Sequence, residues 1–230
     1  SIWISTGLNG IAKLSYSSPI DVEAYQTDAD GEILNEIIVT ENLKICTDGT
    51  SNNLLKFKSD EIDLSEIEIN VTDPLDENIA IFGSVEIIDQ SADSVTFKYT
   101  APDEFLWEGT SRTVNFEIST VETGTIQIFA FDLVRVPVIF FHGLWSEGAM
   151  WNTTIDFLEN QYFDYLISSP SYPNSAHFES NVPRISKEIK AKLSECRNFN
   201  YTIVSKVDLV GHSMGGVLSR LYTQSDSAVQ

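Results

Sequence analysis

The hydrophobic period of the chain changes once, at Val136, and that break limits what the chain can fold into more than any other feature. Before it, apolar residues alternate at period two, as half-buried strands require. Val95, Phe97 and Tyr99 share one face against Thr96, Lys98 and Thr100. Val114, Phe116 and Ile118 repeat the pattern, and Ile126, Ile128 and Ala130 carry it into a further strand. Turn chemistry at Asp73-Pro74, Ala101-Pro102-Asp103, Glu108-Gly109 and Thr123-Gly124 separates these runs. Short strands at this spacing predict an antiparallel β-sandwich without helices over residues 1–134.

An internal echo refines that expectation. The segment from Lys13 to Pro19 matches Thr96 to Pro102, with Tyr16 and Pro19 recurring as Tyr99 and Pro102, 83 positions later. Such a period suits tandem modules, and the Tyr-Thr-Ala-Pro element resembles bacterial immunoglobulin-like repeats. The resemblance implies that residues 1–45 close an upstream module and residues 46–134 form a second one. One larger sandwich using all 134 residues is the alternative.

Charge follows the same division. Residues up to Val136 carry a net charge of −18 and the remainder −2, within a total of −20. So acidic a front half repels nucleic acid and anionic membrane surfaces, and serves solubility. Asp28-Ala-Asp30-Gly31-Glu32 offers alternating carboxylates, yet Val39 stands where a calcium loop needs its terminal Glu, so a solvated hairpin turn is expected. No apolar run is long enough to span a membrane as a helix. The chain begins at Ser1 with no signal peptide, so it is expected to start after processing or inside a longer protein. Cys46 and Cys196 lie in segments of different character, which argues against a disulfide framework or a zinc site.

After Val136 short apolar runs alternate with helical spacings. Pro137-Val-Ile-Phe-Phe141 has the composition of a fully buried parallel strand. Met150, Trp151, Ile155 and Leu158 space a helix over 148–163, and a second strand is expected near 165–168. Ile185, Ile189 and Leu193 define an amphipathic helix over 183–196, with Pro183 near its start and Lys187, Lys190 and Lys192 facing elsewhere. Residues 207–210 form another buried strand and 216–222 begin another helix. Such alternation implies a parallel sheet flanked by helices on both faces.

One segment carries chemistry. Val207-Asp-Leu-Val-Gly211-His212-Ser213-Met214-Gly215-Gly216 places Gly-x-Ser-x-Gly between an apolar strand and a helix. A serine on so tight a turn projects its hydroxyl outward, while the positions two before and two after it crowd their neighbours, hence Gly211 and Gly215. Phe140-Phe-His142-Gly143-Leu144-Trp145 ends the first parallel strand. Acyl transfer builds negative charge on a carbonyl oxygen, which needs preorganised N–H donors. Those of Met214 and Leu144 are the candidates, and Gly143 lets the loop turn.

Together these segments resemble the α/β-hydrolase superfamily, and within it bacterial triacylglycerol lipases and esterases, over about residues 135–224. The resemblance implies Ser213 as nucleophile, Leu144 and Met214 as oxyanion donors, an apolar ester or lipid substrate, and no cofactor or metal. Arg220 matches an arginine common on the helix after the elbow and is expected to be structural.

The triad is incomplete. It needs a base and an orienting acid, which in this superfamily follow the serine. Only 17 residues follow Ser213 and none is a histidine. His142, His177 and His212 all precede it and are expected to be structural or exposed; Asp208 lies below the elbow and Asp226 follows it too closely. The fold class expected is therefore multidomain: an all-β immunoglobulin-like sandwich followed by a truncated α/β-hydrolase domain over 135–230, with little activity alone. The function expected is a carboxylic ester hydrolase at an extracellular or cell-surface location, with carbohydrate or surface contact through the sandwich. An adhesive or carbohydrate-binding surface protein with a vestigial hydrolase segment is the alternative, and amidase, polyester depolymerase or acyltransferase chemistry would use the same acyl-enzyme.

Overall fold

A computed structural model describes residues 2–5, 11–14, 20–27, 32–37, 43–49, 53–73, 82–120, 124–159, 166–199 and 202–225. The hairpin expected at residues 28–31 and Asp226 lie outside them, as do residues 15–19 of the internal echo. Period-two alternation yields eleven strands before Val136 among the described residues. They are β1 (Ile2–Ser5), β2 (Ile11–Leu14), β3 (Asp21–Thr27), β4 (Ile33–Ile37), β5 (Lys44–Cys46), β6 (Asn53–Lys58), β7 (Ile67–Thr72), β8 (Ser84–Gln90), β9 (Ser94–Thr100), β10 (Ser111–Thr120) and β11 (Gly124–Val134). The remainder alternates: β12 (Val138–Phe141), a 3₁₀ turn (Gly148–Trp151), α1 (Asn152–Glu159), β13 (Ile167–Ser168), α2 (Phe178–Phe199), β14 (Thr202–Ile203), β15 (Asp208–Gly211) and α3 (Met214–Thr223).

β1 and β2 pair with each other. Two five-stranded sheets, ordered β4-β3-β6-β9-β8 and β14-β5-β11-β10-β7, face one another across an aromatic core. Phe116 sits at its centre, stacked on Phe131 with centroids 4.2 Å apart and edge-on to Tyr99 and Phe97 at 5.2 and 5.4 Å. Offset and edge-to-face contacts of this kind add to the large area each ring buries. β3 pairs with β6 through six residues, and Ala24, Leu43 and Ile45 enter the same core as Phe57. The strands before and after positions 45 and 46 thus share one sandwich.

The face of β11 differs from expectation. Ile128 is 53% exposed and Ala130 also points outward, while Phe131 and Leu133 are buried and Phe129 packs on the core. The ladder sets Phe129 opposite Phe116 and Phe131 opposite Val114. Cross-strand partners share a face, so the larger aromatic set takes the core and Ile128 and Ala130 turn outward.

In the second half, β13-β12-β15 form a parallel sheet. β12 is buried throughout, and its alternate residues meet different helices. Val138 and Phe140 pack against Trp151, Ile155 and Leu158, while Ile139 and Phe141 pack with Ile185, Ile189, Leu193 and Leu218. The helix expected over 148–163 divides into the 3₁₀ turn and α1, with Met150 exposed. α2 begins at Phe178, five residues before Pro183, which lies inside it. Lys192 is buried rather than facing solvent, its ammonium reaching the carbonyl of Ile167 and the carboxylate of Glu195. β15 was expected to be buried; instead it is an edge of this sheet and Val210 is 38% exposed. No described helix is long and apolar enough to cross a membrane.

The two halves are joined through backbone. β14 follows α2 in sequence yet pairs in parallel with β5, which itself pairs with β11. Beyond β14 the chain exchanges polar contacts with the sandwich. The side chain of Gln26 accepts from the N–H of Val204 at 3.2 Å and donates to Ser205 Oγ at 3.1 Å. Asp48 accepts from the N–H of Ser205 at 3.0 Å, and Lys206 donates to the Asp48 carbonyl at 2.7 Å. Cys46 and Cys196 are both free, buried and in the same core cluster, each thiol pushed up by burial.

Two substitutions test this architecture by urea unfolding. Phe116→Ala is expected to destabilise the chain by about 3–5 kcal/mol, because the ring leaves a cavity among four aromatic neighbours. Gln26→Ala is expected to destabilise by about 1–3 kcal/mol, because the buried N–H of Val204 loses its acceptor.

Candidate functional site

Pairing between β12 and β15 sets Phe140 beside Val210 and Phe141 beside Gly211, so the loops after both strands leave from the same end of the sheet. The N–H of His212 then donates to the carbonyl of Phe141 at 3.0 Å. The next residue, Ser213, turns the chain into α3 with φ 53° and ψ −116°. Only two described residues other than glycine have positive φ, Ser213 and Trp145, and they sit on these two loops. Conformations this sparsely populated cost about 1–3 kcal/mol each and persist where the surroundings enforce them.

The enforcement is visible in the glycines. A Cβ on Gly215 would land on the carbonyl of Phe141, and one on Gly211 would land on the backbone of Gly215 and Gly216. A Cβ on Gly143 would lie 3.1 Å from the Ser213 Cβ and 3.0 Å from His212 Nδ1. The three small residues therefore let β12, β15, α3 and the loop after β12 close around Ser213, whose side chain is exposed.

α3 starts with Gly215 donating to the carbonyl of His212 at 2.9 Å and Gly216 to that of Ser213 at 3.1 Å. Met214 is its first residue, so its N–H has no intrahelical acceptor and lies at the positive end of the helix dipole. Leu144 is 45% exposed on the facing loop. The arrangement offers an exposed hydroxyl flanked by a helix N-terminus and an adjacent loop.

His142 is wholly buried and fully engaged. Nε2 accepts from the N–H of Tyr172 at 3.2 Å, so the ring proton resides on Nδ1, which lies 2.9 Å from the carbonyl of Gly143. Its ring stacks on that of Tyr172 at 4.0 Å, and the Tyr172 hydroxyl donates to the His142 carbonyl. Burial pushes that phenol up to about 12. Asn174 donates to the Ser146 carbonyl at 2.6 Å and Ser171 Oγ accepts from Gly148 at 2.9 Å. Tyr172, Ser171 and Asn174 thus hold the loop from a segment about 30 residues away, a role with no local sequence signal.

His212 and His177 are exposed, the latter capping the start of α2 through its carbonyl. Asp208 begins β15, and burial pushes its carboxyl upward. Among the described residues, no histidine or carboxylate hydrogen-bonds the Ser213 hydroxyl.

No curated protein matches the chain. Solved structures that resemble it include a family 123 glycoside hydrolase from Clostridium perfringens, 9% identical over 54% of this chain and 30% of that one, with a TM-score of 0.25. Another is a 2,6-sialyltransferase from Photobacterium sp. JT-ISH-224, 13% identical over 80% of this chain and 44% of that one, with a TM-score of 0.22. The chain spans less than half the length of either, and likenesses this distant carry no argument. Residues 135–230 match the family model described as Lipase (class 2), so the segment that holds Ser213 and the loop facing it is similar to a lipase family.

Proposed function

We propose that residues 135–225 form the nucleophile-bearing part of a carboxylic ester hydrolase of the α/β-hydrolase kind, acting on a lipid or other apolar ester. The observation that carries this reading is the backbone of Ser213, held at positive φ by Gly211 and Gly215 between a strand and a helix. The similarity of residues 135–230 to class 2 lipases supports the same chemistry. Ser213 Oγ attacks the ester carbonyl, its proton passes to a base, and the alcohol leaves with a proton as the acyl-enzyme forms. The N–H groups of Met214 and Leu144 stabilise the oxyanion. One such donor is worth about 2.7–4 kcal/mol of barrier.

Among the described residues no histidine or carboxylate hydrogen-bonds the Ser213 hydroxyl, and both ring nitrogens of His142 are engaged elsewhere. We therefore propose that this chain alone hydrolyses esters little. For the whole protein we propose an extracellular or cell-surface location, supported by the resemblance of its strands to bacterial surface modules.

Exogenous imidazole supplies a base and tests the reading. With a short-chain nitrophenyl ester and imidazole, the chain is expected to release a burst of nitrophenol and to carry the acyl group on Ser213 by peptide mass spectrometry. Ser213→Ala is expected to show neither, and without imidazole both proteins should match the background rate. Absence of Ser213 acylation under rescue would overturn the nucleophile assignment. Gly215→Ala is expected to destabilise by about 1–3 kcal/mol in urea, through overpacking against the Phe141 carbonyl, and to lose the burst.

A further inference from the structure

Strand register carries the chain's two cysteines, 150 positions apart, into one buried cluster. Cys46 ends β5, opposite Val134 of β11. On the other side of β5 the parallel ladder sets Ile203 against Ile45, so Val204 runs alongside Cys46. Ile45, Leu133 and Ile203 enter the sandwich core, while Cys46, Val134 and Val204 enter the core that α2 covers. Along α2 that core takes Ile185, Ile189, Leu193 and Cys196, at steps of four, four and three that keep one helical stripe. Cys196 sits in the last turn of α2, and the adjacent Arg197 donates to the Val204 carbonyl at 2.7 and 3.0 Å. The end of α2 is thereby fixed over the same stretch of sheet that holds Cys46.

Two thiols placed so can bind a metal, react singly or join. Among the described residues no set of three or more His, Cys, Asp or Glu could hold a metal. A reactive cysteine needs exposure and a lowered pKa, and these have neither. They are 1% and 0% exposed. Burial pushes both thiols up, that of Cys196 to about 11, and at Cys46 the charges of Asp48 and Cys196 add to the effect. Joining suits the place better. Cys46 would give up only a weak S–H bond to the Arg135 carbonyl at 3.4 Å. Closing so long a loop takes more freedom from the unfolded chain than closing a short one.

We propose that Cys46 and Cys196 form a disulfide that staples α2 to β5, with a small organic disulfide as the oxidant. One protein thiolate attacks that disulfide, forming a mixed disulfide and expelling one small thiolate. The second protein thiolate attacks the protein sulfur of the mixed disulfide and expels the other. The two cysteines lose two electrons, the oxidant gains them, and the two thiol protons pass to the small thiolates released. Because α2 covers both sulfurs, the exchange belongs to folding, before the helix closes on the sheet.

Refolding the full chain tests it. The chain is unfolded in urea under reductant, diluted into a mixture of reduced and oxidised glutathione, alkylated, and digested without reductant. The refolded chain should carry no alkylatable thiol, weigh two hydrogens less than the reduced chain, and yield a peptide pair joining Cys46 to Cys196. At one glutathione ratio, the linked-to-reduced ratio should be roughly tenfold or more higher in native buffer than in concentrated urea, because native packing holds the sulfurs together. By the same linkage the joined chain should unfold at a higher urea concentration than the reduced one. Cys46→Ala and Cys196→Ala should each abolish the joined peptide and the redox dependence of the urea midpoint. The proposal is overturned by two alkylatable thiols after refolding, by glutathione adducts on both cysteines without the joined peptide, or by a link found only between chains. It is equally overturned by a joined chain that unfolds at lower urea than the reduced one, or by a redox-dependent midpoint that survives either substitution. The peptide and midpoint readings use the unsubstituted chain, so they stand whether or not a variant folds.

Discussion

Four residues of parallel pairing between β12 and β15 underlie the rest of the site. They bring two chain segments about 70 positions apart to one end of the sheet, and they aim the Phe141 carbonyl at His212 and Gly215. Every later feature follows from that approach. Ser213 takes positive φ because the chain must turn into α3 without lifting off β12. Gly215 has no side chain because the Phe141 carbonyl already occupies its place. The short strand is itself held between helices, α1 on one face and α2 with α3 on the other, so a fault in either layer reaches the serine through β12.

The acidic sandwich and the strand–helix half also depend on one another. β14 is a two-residue strand, too short to stand alone, and it gains its partner from β5 of the sandwich. The polar groups that this crossing buries are answered across it: Gln26 and Asp48 take the N–H groups of Val204 and Ser205, and Arg197 takes the Val204 carbonyl at 2.7 and 3.0 Å. Buried backbone groups left unanswered are expensive, so the seam favours one arrangement of the halves.

Local chemistry was legible in the sequence, and long-range chemistry was not. The change of period at Val136 was readable because periodicity is a property of neighbours along the chain, but the return of β14 to the sandwich sheet was not. The turn through Gly211 and Ser213 was readable because the demand on Gly211 is met within five residues, whereas that on Gly215 comes from the Phe141 carbonyl more than 70 positions earlier. The facing of β11 was misread, since which of two alternating sets turns inward depends on what lies opposite, here Phe116 and Val114. Lys192 was misplaced for a related reason: its ammonium finds the Ile167 carbonyl, 25 residues away, and can therefore be buried. Tyr172, which fixes the tautomer of His142, gave no signal because nothing in a lone tyrosine announces a backbone N–H aimed at a distant imidazole.

The crossing of β14 into the sandwich sheet bears on how such a protein can be rearranged. Beads on a string can be shuffled, because each closes its own hydrogen-bond ladder. Here the ladder of one bead is completed by a strand of the next, between α2 and the serine-bearing strand. A recombination point at Val136 would fall in a loop and look harmless, yet it would strip β5 of a neighbour on one side and leave β14 unpaired on the other. The two halves can be inherited, transplanted or redesigned only as a unit that includes both sides of that shared ladder.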